Sequence, residues 1–548
     1  MAEMKLVNAE QLDADFTAIA SAIRGKNGST EKYAPGDMAA AISAIQTGGG
    51  GGAAKDYVKF YDYEGTLLHS YSKDEVEALT ELPPLPSHDG LICQGWNWSL
   101  EDIKAEGKET NVGAMYITDD GKTRLYITIA AEERMDVPLC FLQTVANGVT
   151  IDWGDGSATE TLSSIGEIAT VHSYTSIGDY IITLDVVDGC TLQLGKGSYN
   201  YGIVGAATYS GSVYGDMIRK VEIGDATYIR DYALVYCYHL TSITIPKSAT
   251  RLGANTFYDC DSLTGLTIPN GVTSIGSNFV SNCNALTSIA IPKSVSSVDT
   301  NAFNACTILT RITIPNSVKT VSTRMYSNCR SLTSIQISDG TRSIGDYAFD
   351  GCYTLASVTI PDSVTSIGIS AFNGCLSLTN IAIPDSVTSI GNTAFANCNS
   401  LSSIVIPNGV TSISDGTFRD CACLTRITIP DGVTSIGKSA FQSCKTLTSI
   451  AIPDGVTSIS DSAFNYCRAL VSIIIPGSVT SIGNNAFYMC LAMKFYDFTK
   501  HTAVPTLANA NAFQNIPSDC EIRVPAALYD EWIAATNWST YAANIVAK

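Results

Sequence analysis

Histidine is scarce. The 548 residues include five, His69, His88, His172, His239 and His501, scattered over the chain. No cluster of general bases forms among near neighbours, and no Ser, His and Asp constellation or catalytic carboxylate pair stands out, so the expectation is a protein that is not an enzyme and uses no cofactor. There is no run of 18 apolar residues, which excludes membrane insertion by an ordinary spanning helix. The opening MAEMKLVNAEQLDADF lacks the basic and apolar regions of a signal peptide, so export by the usual route is not expected. Cationic excess is missing too. The net charge is −19, with 31 acids and 13 bases in residues 1–216 and 21 and 20 in residues 217–548. The front half repels a phosphate backbone and the rest offers it no attraction, which argues against a nucleic-acid partner.

What is present is repetition. A cysteine falls every 23 residues, twelve times, from Cys237 through Cys260, Cys283, Cys306, Cys329, Cys352, Cys375, Cys398, Cys421, Cys444 and Cys467 to Cys490. The cleanest unit reads LTSIxIPDSVTSIGxxAFxxC. Ile243 and Ile245 alternate with Ser242 and Thr244, the pattern of a short strand with one face inward, and Pro246 stops it. A second apolar pair, Val364 and Ile367, leads into Gly368 and a segment carrying Phe372 and Cys375 three residues apart, a spacing that suits a helical or 3₁₀ turn.

One such coil cannot bury its apolar face, so coils must stack and place identical residues in columns. The expected aromatic column holds Phe257, Phe303, Phe349, Phe372, Phe395, Phe418, Phe441, Phe464 and Phe487. At about 4.8 Å per coil, twelve coils make a rod of roughly 55 Å. The cysteines, among them Cys260, Cys375 and Cys444, would then stand near enough to be bridged in pairs. Stacked identical residues point their Cβ atoms in parallel, however, so reduced core thiols are the expected state. No CxxC pair or histidine accompanies the column, which argues against a metal site. The ends depart from the pattern as caps should. Ile218 to Cys237 is irregular and tyrosine-rich, and after Cys490 come Phe495, Tyr496 and Phe498, then a tail with Pro525, Leu528, Trp532 and Trp538. On this unit the segment 217–495 resembles the BspA-like class of leucine-rich repeat known from bacterial surface proteins.

The front half reads as separate modules. Residues 12–46 form two short amphipathic helices, followed by the glycine joint Gly48 to Gly52. Residues 56–130 read as a small α+β module with a strand at Val58 to Tyr61, helices capped at Ser72 and after Ser99, and a closing hairpin through Asp119, Asp120 and Gly121. Trp96 and Trp98 either face a ligand or pack. Asp62 to Leu67 imitate a phosphatase nucleophile motif, but the second acid is Glu64 and the downstream motifs are absent, so a plain strand and turn is expected. Residues 131–195 alternate as sandwich strands around Asp152, Trp153, Gly154, Asp155 and Gly156, with His172, Ser173 and Tyr174 beyond. This stretch resembles the polycystic-kidney-disease-like (PKD-like) immunoglobulin-type domain. Asp152 and Asp155 would stabilise a turn or bind calcium. The opening phrases LDADFTAIASAIRGKNGSTE and VKFYDYEGTLLHSYSKDEVEAL through SHDGLICQGWNWSLEDIKA resemble tail and minor structural proteins of phages and prophages of Gram-positive gut bacteria.

The expected fold is therefore multidomain and mainly β: an N-terminal helical hairpin for attachment or oligomerisation (1–47), a linker (48–55), a small α+β module (56–130), a PKD-like β-sandwich (131–195), a connector (196–216), a leucine-rich-repeat solenoid (217–495) and a C-terminal cap (496–548). Ligand contacts are expected at the variable positions after the cysteines, Tyr238, His239, Arg330, Tyr353 and Lys445, and in the connector at Tyr199 and Tyr201. The resemblances imply a phage tail fibre or receptor-binding protein, located in the virion and assembled in the host cytoplasm. It would be mounted on other tail or baseplate proteins through its N-terminus, homo-oligomeric with trimers favoured, and would recognise a bacterial cell-surface glycan or protein. The alternative is a bacterial cell-surface adhesin with BspA-like repeats that binds host or neighbouring cells.

Overall fold

The computed structural model describes residues 57–62, 64–107, 109–195, 203, 215–224 and 228–548. The expected N-terminal helices, the glycine joint, Tyr199 and Tyr201 lie outside the described residues. The chain divides into two compact units, one taking in Tyr57 and Tyr71–Ala78, the other Val58–Ser70 and Leu79–Lys548. In the first, helix α1 (Lys73–Ala78) opens with a capping box. The Glu75 carboxylate accepts from the Ser72 amide at 2.7 Å, and Ser72 Oγ accepts from the Glu75 amide at 3.4 Å.

The second unit begins with strands β1 (Val58–Tyr61), β2 (Leu67–Tyr71), β3 (Leu91–Trp96) and β4 (Thr110–Thr118), in sheet order β2-β1-β4-β3. Helix α2 (Leu100–Glu106) sits between β3 and β4. It is capped by Ser99, whose hydroxyl accepts from the Asp102 amide at 3.1 Å, and stopped by Gly107 at φ 67°. The expected hairpin does not form. The chain turns at Gly121, but β5 (Thr123–Ile129) leaves β4 and pairs antiparallel with β10 (Gly178–Val186). Its inward face of Leu125, Ile127 and Ile129 is fully buried, so hydrophobic burial in the next module decides where the strand goes.

That module is a two-sheet antiparallel sandwich. One sheet runs from β5 through β10 and β7 (Val149–Asp152) to β8 (Glu160–Thr161). The other centres β6 (Asp136–Gln143) between β9 (Gly166–Ser173) and β11 (Leu192–Leu194). The free edge of β5 carries β12 (Ile218–Glu222), which also pairs in parallel with the first array strand, Ser242–Thr244. One sheet thus continues from the sandwich into the repeats, and a single apolar core extends from Leu125 to Ile545. β12 joins the sandwich to the open end of the first coil.

A regular coil has a three-residue strand such as Ser403–Val405, a stop at proline, and a two-residue strand such as Ser412–Ile413, each pairing in parallel with its copy 23 residues on, while at Thr313, Ala382 and Ser449 the first strand shrinks to a single bridge. The third side is not helical. Amides alternate between a local bond three residues back and a bond to the next coil: Ala371, Asn373 and Cys375 to Gly368, Ser370 and Phe372, and Ser370, Phe372 and Gly374 to Asn392, Ala394 and Ala396. This alternation places two residues per coil in the left-handed region, here Ser370 at φ 52° and Gly374 at φ 72°.

Inside, the rings form a ladder. From Phe303 through Tyr326, Phe349, Phe372 and onward to Phe487 and Phe513, neighbours stack with centroids 5.2–5.8 Å apart. Phe257 stands outside this run, meeting Phe279 edge-on at 5.3 Å. The column cysteines are free and buried. Cys375 Sγ donates to the Phe349 carbonyl at 3.4 Å and Cys398 Sγ to Phe372 at 3.2 Å, and the bond recurs along the column. The array does not stop at residue 495. Phe495–Asp497 is followed in the same parallel ladder by Glu521–Val524 and Ile545–Ala547, and the buried Trp532 and Trp538 close the end.

Candidate binding surface

Strand alternation sends one isoleucine per coil inward and leaves the residues either side of it facing out. Over the first coils this outer face is already occupied. Strand β4 crosses Ser242–Thr244, Gly265–Thr267 and Ser288–Ala290, and Ser242, Thr244, Ser288 and Ala290 are buried. The contact is specific. Asn97, 1% exposed, donates its amide to the carbonyls of Ile268 and Ala290 at 3.1 Å each and accepts from the Gly113 amide at 2.8 Å. Trp98 Nε1 donates to Ile291 O at 3.0 Å, while Trp96 Nε1 donates to Pro83 O at 2.9 Å. Both tryptophans are packed, not offered to a ligand. Where the backbones meet, Gly65 faces Gly265, and a Cβ on Gly265 would lie 2.5 Å from Gly65 Cα. Ion pairs Lys293–Asp102 at 2.7 Å and Arg311–Glu109 at 2.9 Å rim the contact.

From Gln336 onward no other described segment covers the same face. Val405 is 65% exposed and Ile474 54%. Between them a groove of about 640 Å³ is lined by Arg426, Thr428, Ser449, Ala451, Ile474 and Lys500, where the small Ser449 and Ala451 let the surface dip.

The positions expected from sequence lie on another edge, just after the column cysteines. Arg330 and Tyr353 occupy adjacent coils and touch, the guanidinium 5.7 Å from the ring centroid. Tyr353 is 40% exposed. Tyr238 is half-buried, and burial raises its phenol above the ordinary 10.0. His239 and Lys445 are exposed. Tyr238 stands five coil steps from Tyr353 and Lys445 four, roughly 24 and 19 Å, so the fold unites only Arg330 and Tyr353. Beside Tyr353 lies a second recess of about 380 Å³, lined also by Asn328, Asp350, Asn373 and Asn397. Sequence reasoning missed these amides. Two glycines in register, Gly351 and Gly374, were the available signal.

In the sandwich, Asp152 and Asp155 each accept a backbone amide two residues on, from Gly154 and Ser157, both at 2.9 Å. Asp155 also meets His172 Nε2 at 2.8 Å, and His172 stacks on Trp153 with centroids 4.7 Å apart. Hydrogen bonds from Ser157 and His172 hold Asp155 down to about 2. Among the described residues no group of three or more His, Cys, Asp or Glu could hold a metal ion, and no helix is long and apolar enough to cross a membrane.

The family model for BspA-type leucine-rich repeat regions, six copies long, matches residues 227–355, 319–448 and 411–529. Similar solved structures include a leucine-rich repeat protein from Bacteroides ovatus, 25% identical, covering 53% of this chain and 94% of that one, with a TM-score of 0.41. Another is a leucine-rich cell surface protein from Faecalibacterium prausnitzii, 31% identical, covering 54% of this chain and 81% of that one, with a TM-score of 0.37. No curated protein matches.

Proposed function

Since the chain belongs to the BspA-type leucine-rich repeat family, we propose that it is a non-enzymatic adhesin of a bacterial surface that grips a macromolecule on a host or neighbouring cell through the open strand face of its array. The observation that carries this reading is the unequal use of one face. Its first coils are filled by a segment of the same chain, held by buried amide and indole bonds, whereas the equivalent outer positions from Gln336 to Ile474 carry exposed Val405, Ile474 and Arg426 over a groove that no other described segment fills. Exposed apolar side chains on the continuous face of a solenoid mark a surface for a partner. The PKD-like reading of the sandwich fits a spacer that carries the array outward.

The test is adhesion. Beads coated with the full chain should attach to host epithelial or bacterial cells, and Val405→Glu with Ile474→Glu should reduce attachment without changing thermal unfolding. Wild-type beads that attach no better than albumin-coated beads would refute the proposal.

A second reading, a phage tail fibre assembled as a trimer in the host cytoplasm, rests on the phage-like phrases within residues 12–105. Immunogold labelling separates the two, since gold on intact cell surfaces supports the adhesin and gold on released tailed particles the fibre.

A further inference from the structure

The geometry points to a binding site for a neutral, pyranose-containing glycan in the recess beside Tyr353, an inference that rests on the array being a recognition surface. The residue before each column cysteine is left-handed and projects outward: Asn328 at φ 61°, Gly351 at 72°, Gly374 at 72° and Asn397 at 59°. Two side chains are therefore missing in succession from a row that carries asparagine on either side, and the gap is the recess of about 380 Å³. Its ends, Asn328 and Asn397, are three coil steps apart, roughly 14 Å. That span and volume admit one or two sugar rings and stand at the small end of ordinary ligand sites, roughly 300–1,000 Å³.

The lining has the corresponding chemistry. Along one edge Asn373 donates to Asp350 Oδ1 at 2.7 Å and Asn397 donates to Asn373 Oδ1 at 2.9 Å, so the amides are fixed in direction before any ligand arrives. Each carboxamide keeps a donor or an acceptor to spare, which matches ring hydroxyls that both give and accept hydrogen bonds. The opposite edge presents Tyr353 and Leu376, 40% and 38% exposed, and ends at Asn399. An aromatic face next to a row of amides suits the C–H face of a pyranose. Arg330 over Tyr353 and Asp350 across the recess offset each other in charge, so a neutral ligand is favoured over an anion.

The test uses the full chain and neutral trisaccharides of glucose, galactose, mannose and N-acetylglucosamine, with binding read by calorimetry and by ligand-observed NMR. At least one should bind saturably. Gly374→Asn fills the recess with the residue that the same left-handed position already holds at Asn328 and Asn397, and Tyr353→Ala removes the stacking face. Each should raise Kd at least about tenfold while the unfolding temperature stays put. No saturable binding to the wild type, or binding that Gly374→Asn leaves unchanged, overturns the site. Wild-type beads that adhere to cells while no trisaccharide binds would overturn this inference and leave the adhesin reading standing. Saturable binding abolished by Gly374→Asn, with no bead adhesion, would support the recess and remove the adhesin reading.

Discussion

Tyr326 is the one tyrosine in the stacked ring ladder, and Tyr326→Phe should stabilise the protein. Its ring is sandwiched between Phe303 at 5.4 Å and Phe349 at 5.6 Å, and its hydroxyl is buried with no hydrogen-bond partner. A buried hydroxyl without a partner costs about 1–3 kcal/mol. Removing it leaves the ring, its rotamer and both stacking contacts unchanged, since phenylalanine fills the same position in the coils on either side. The gain should be about 1 kcal/mol or somewhat more, reduced by the small void the oxygen leaves. Because coils interact only with their neighbours, the effect should be local. Hydrogen exchange should slow at the amides of Phe303, Tyr326 and Phe349, and the urea midpoint of the array should rise with unchanged slope. Faster exchange at those amides, or a lower midpoint, would mean that the hydroxyl does have a partner.

Phe372→Ala removes a fully buried ring stacked on both faces and should cost about 3–5 kcal/mol, measured by denaturant unfolding. The column thiols should resist an aromatic disulfide reagent in the native protein and react fully in denaturant, because burial pushes Cys329, Cys398 and Cys490 up to about 12 from the ordinary 9.0. The same shift makes the fold alkali-sensitive. The unfolded thiols ionise first, so stability should be intact below pH 9 and fall as pH rises from about 9 towards 12. At the acid end, Asp155 is held at about 2, so the sandwich should keep its contribution above about pH 4 and lose it as pH falls towards 2, read by near-ultraviolet absorption of Trp153. Asn97→Leu strands the Ile268 and Ala290 carbonyls and should loosen the front module by about 2–4 kcal/mol, seen as faster proteolysis between residues 58 and 118 with the array intact.

The repeat was legible because its physics is local and recurs: a period of 23, an inward isoleucine, an aromatic three residues before ten of the twelve column cysteines. The spacing of Phe372 and Cys375 suits a helical or 3₁₀ turn, and the local bonds do run three residues back, but they do not continue as a helix. Nothing in single residues announces that amides there bond alternately within and between coils, with Ser370 rather than glycine in a left-handed position. β5 was misplaced for a related reason. A turn at Gly121 shows that the chain reverses, not which sheet the next strand joins, and that was decided by the distant partners of Leu125 and Ile127. The docking of the front module was illegible because it depends on Asn97 finding carbonyls some 170 to 190 residues away. For the recess, Tyr353 was visible as an exposed aromatic on a variable row, but its amide neighbours come from coils 23 and 46 residues away and had to be stacked to be seen together.

The hydrogen-bond partners along the array lie at constant offsets: an amide to a carbonyl 22 residues on, a thiol to a carbonyl 26 residues back. A gene that loses or gains 69 base pairs in frame anywhere between the coils around Tyr347 and Tyr466 recreates every one of those offsets, wherever the break falls. Replication slippage, ruinous in most folds, here only lengthens or shortens the protein by one coil, about 5 Å. A lineage can therefore vary the reach of this molecule, and the separation of its strand groove from the Tyr353 recess, without any point mutation.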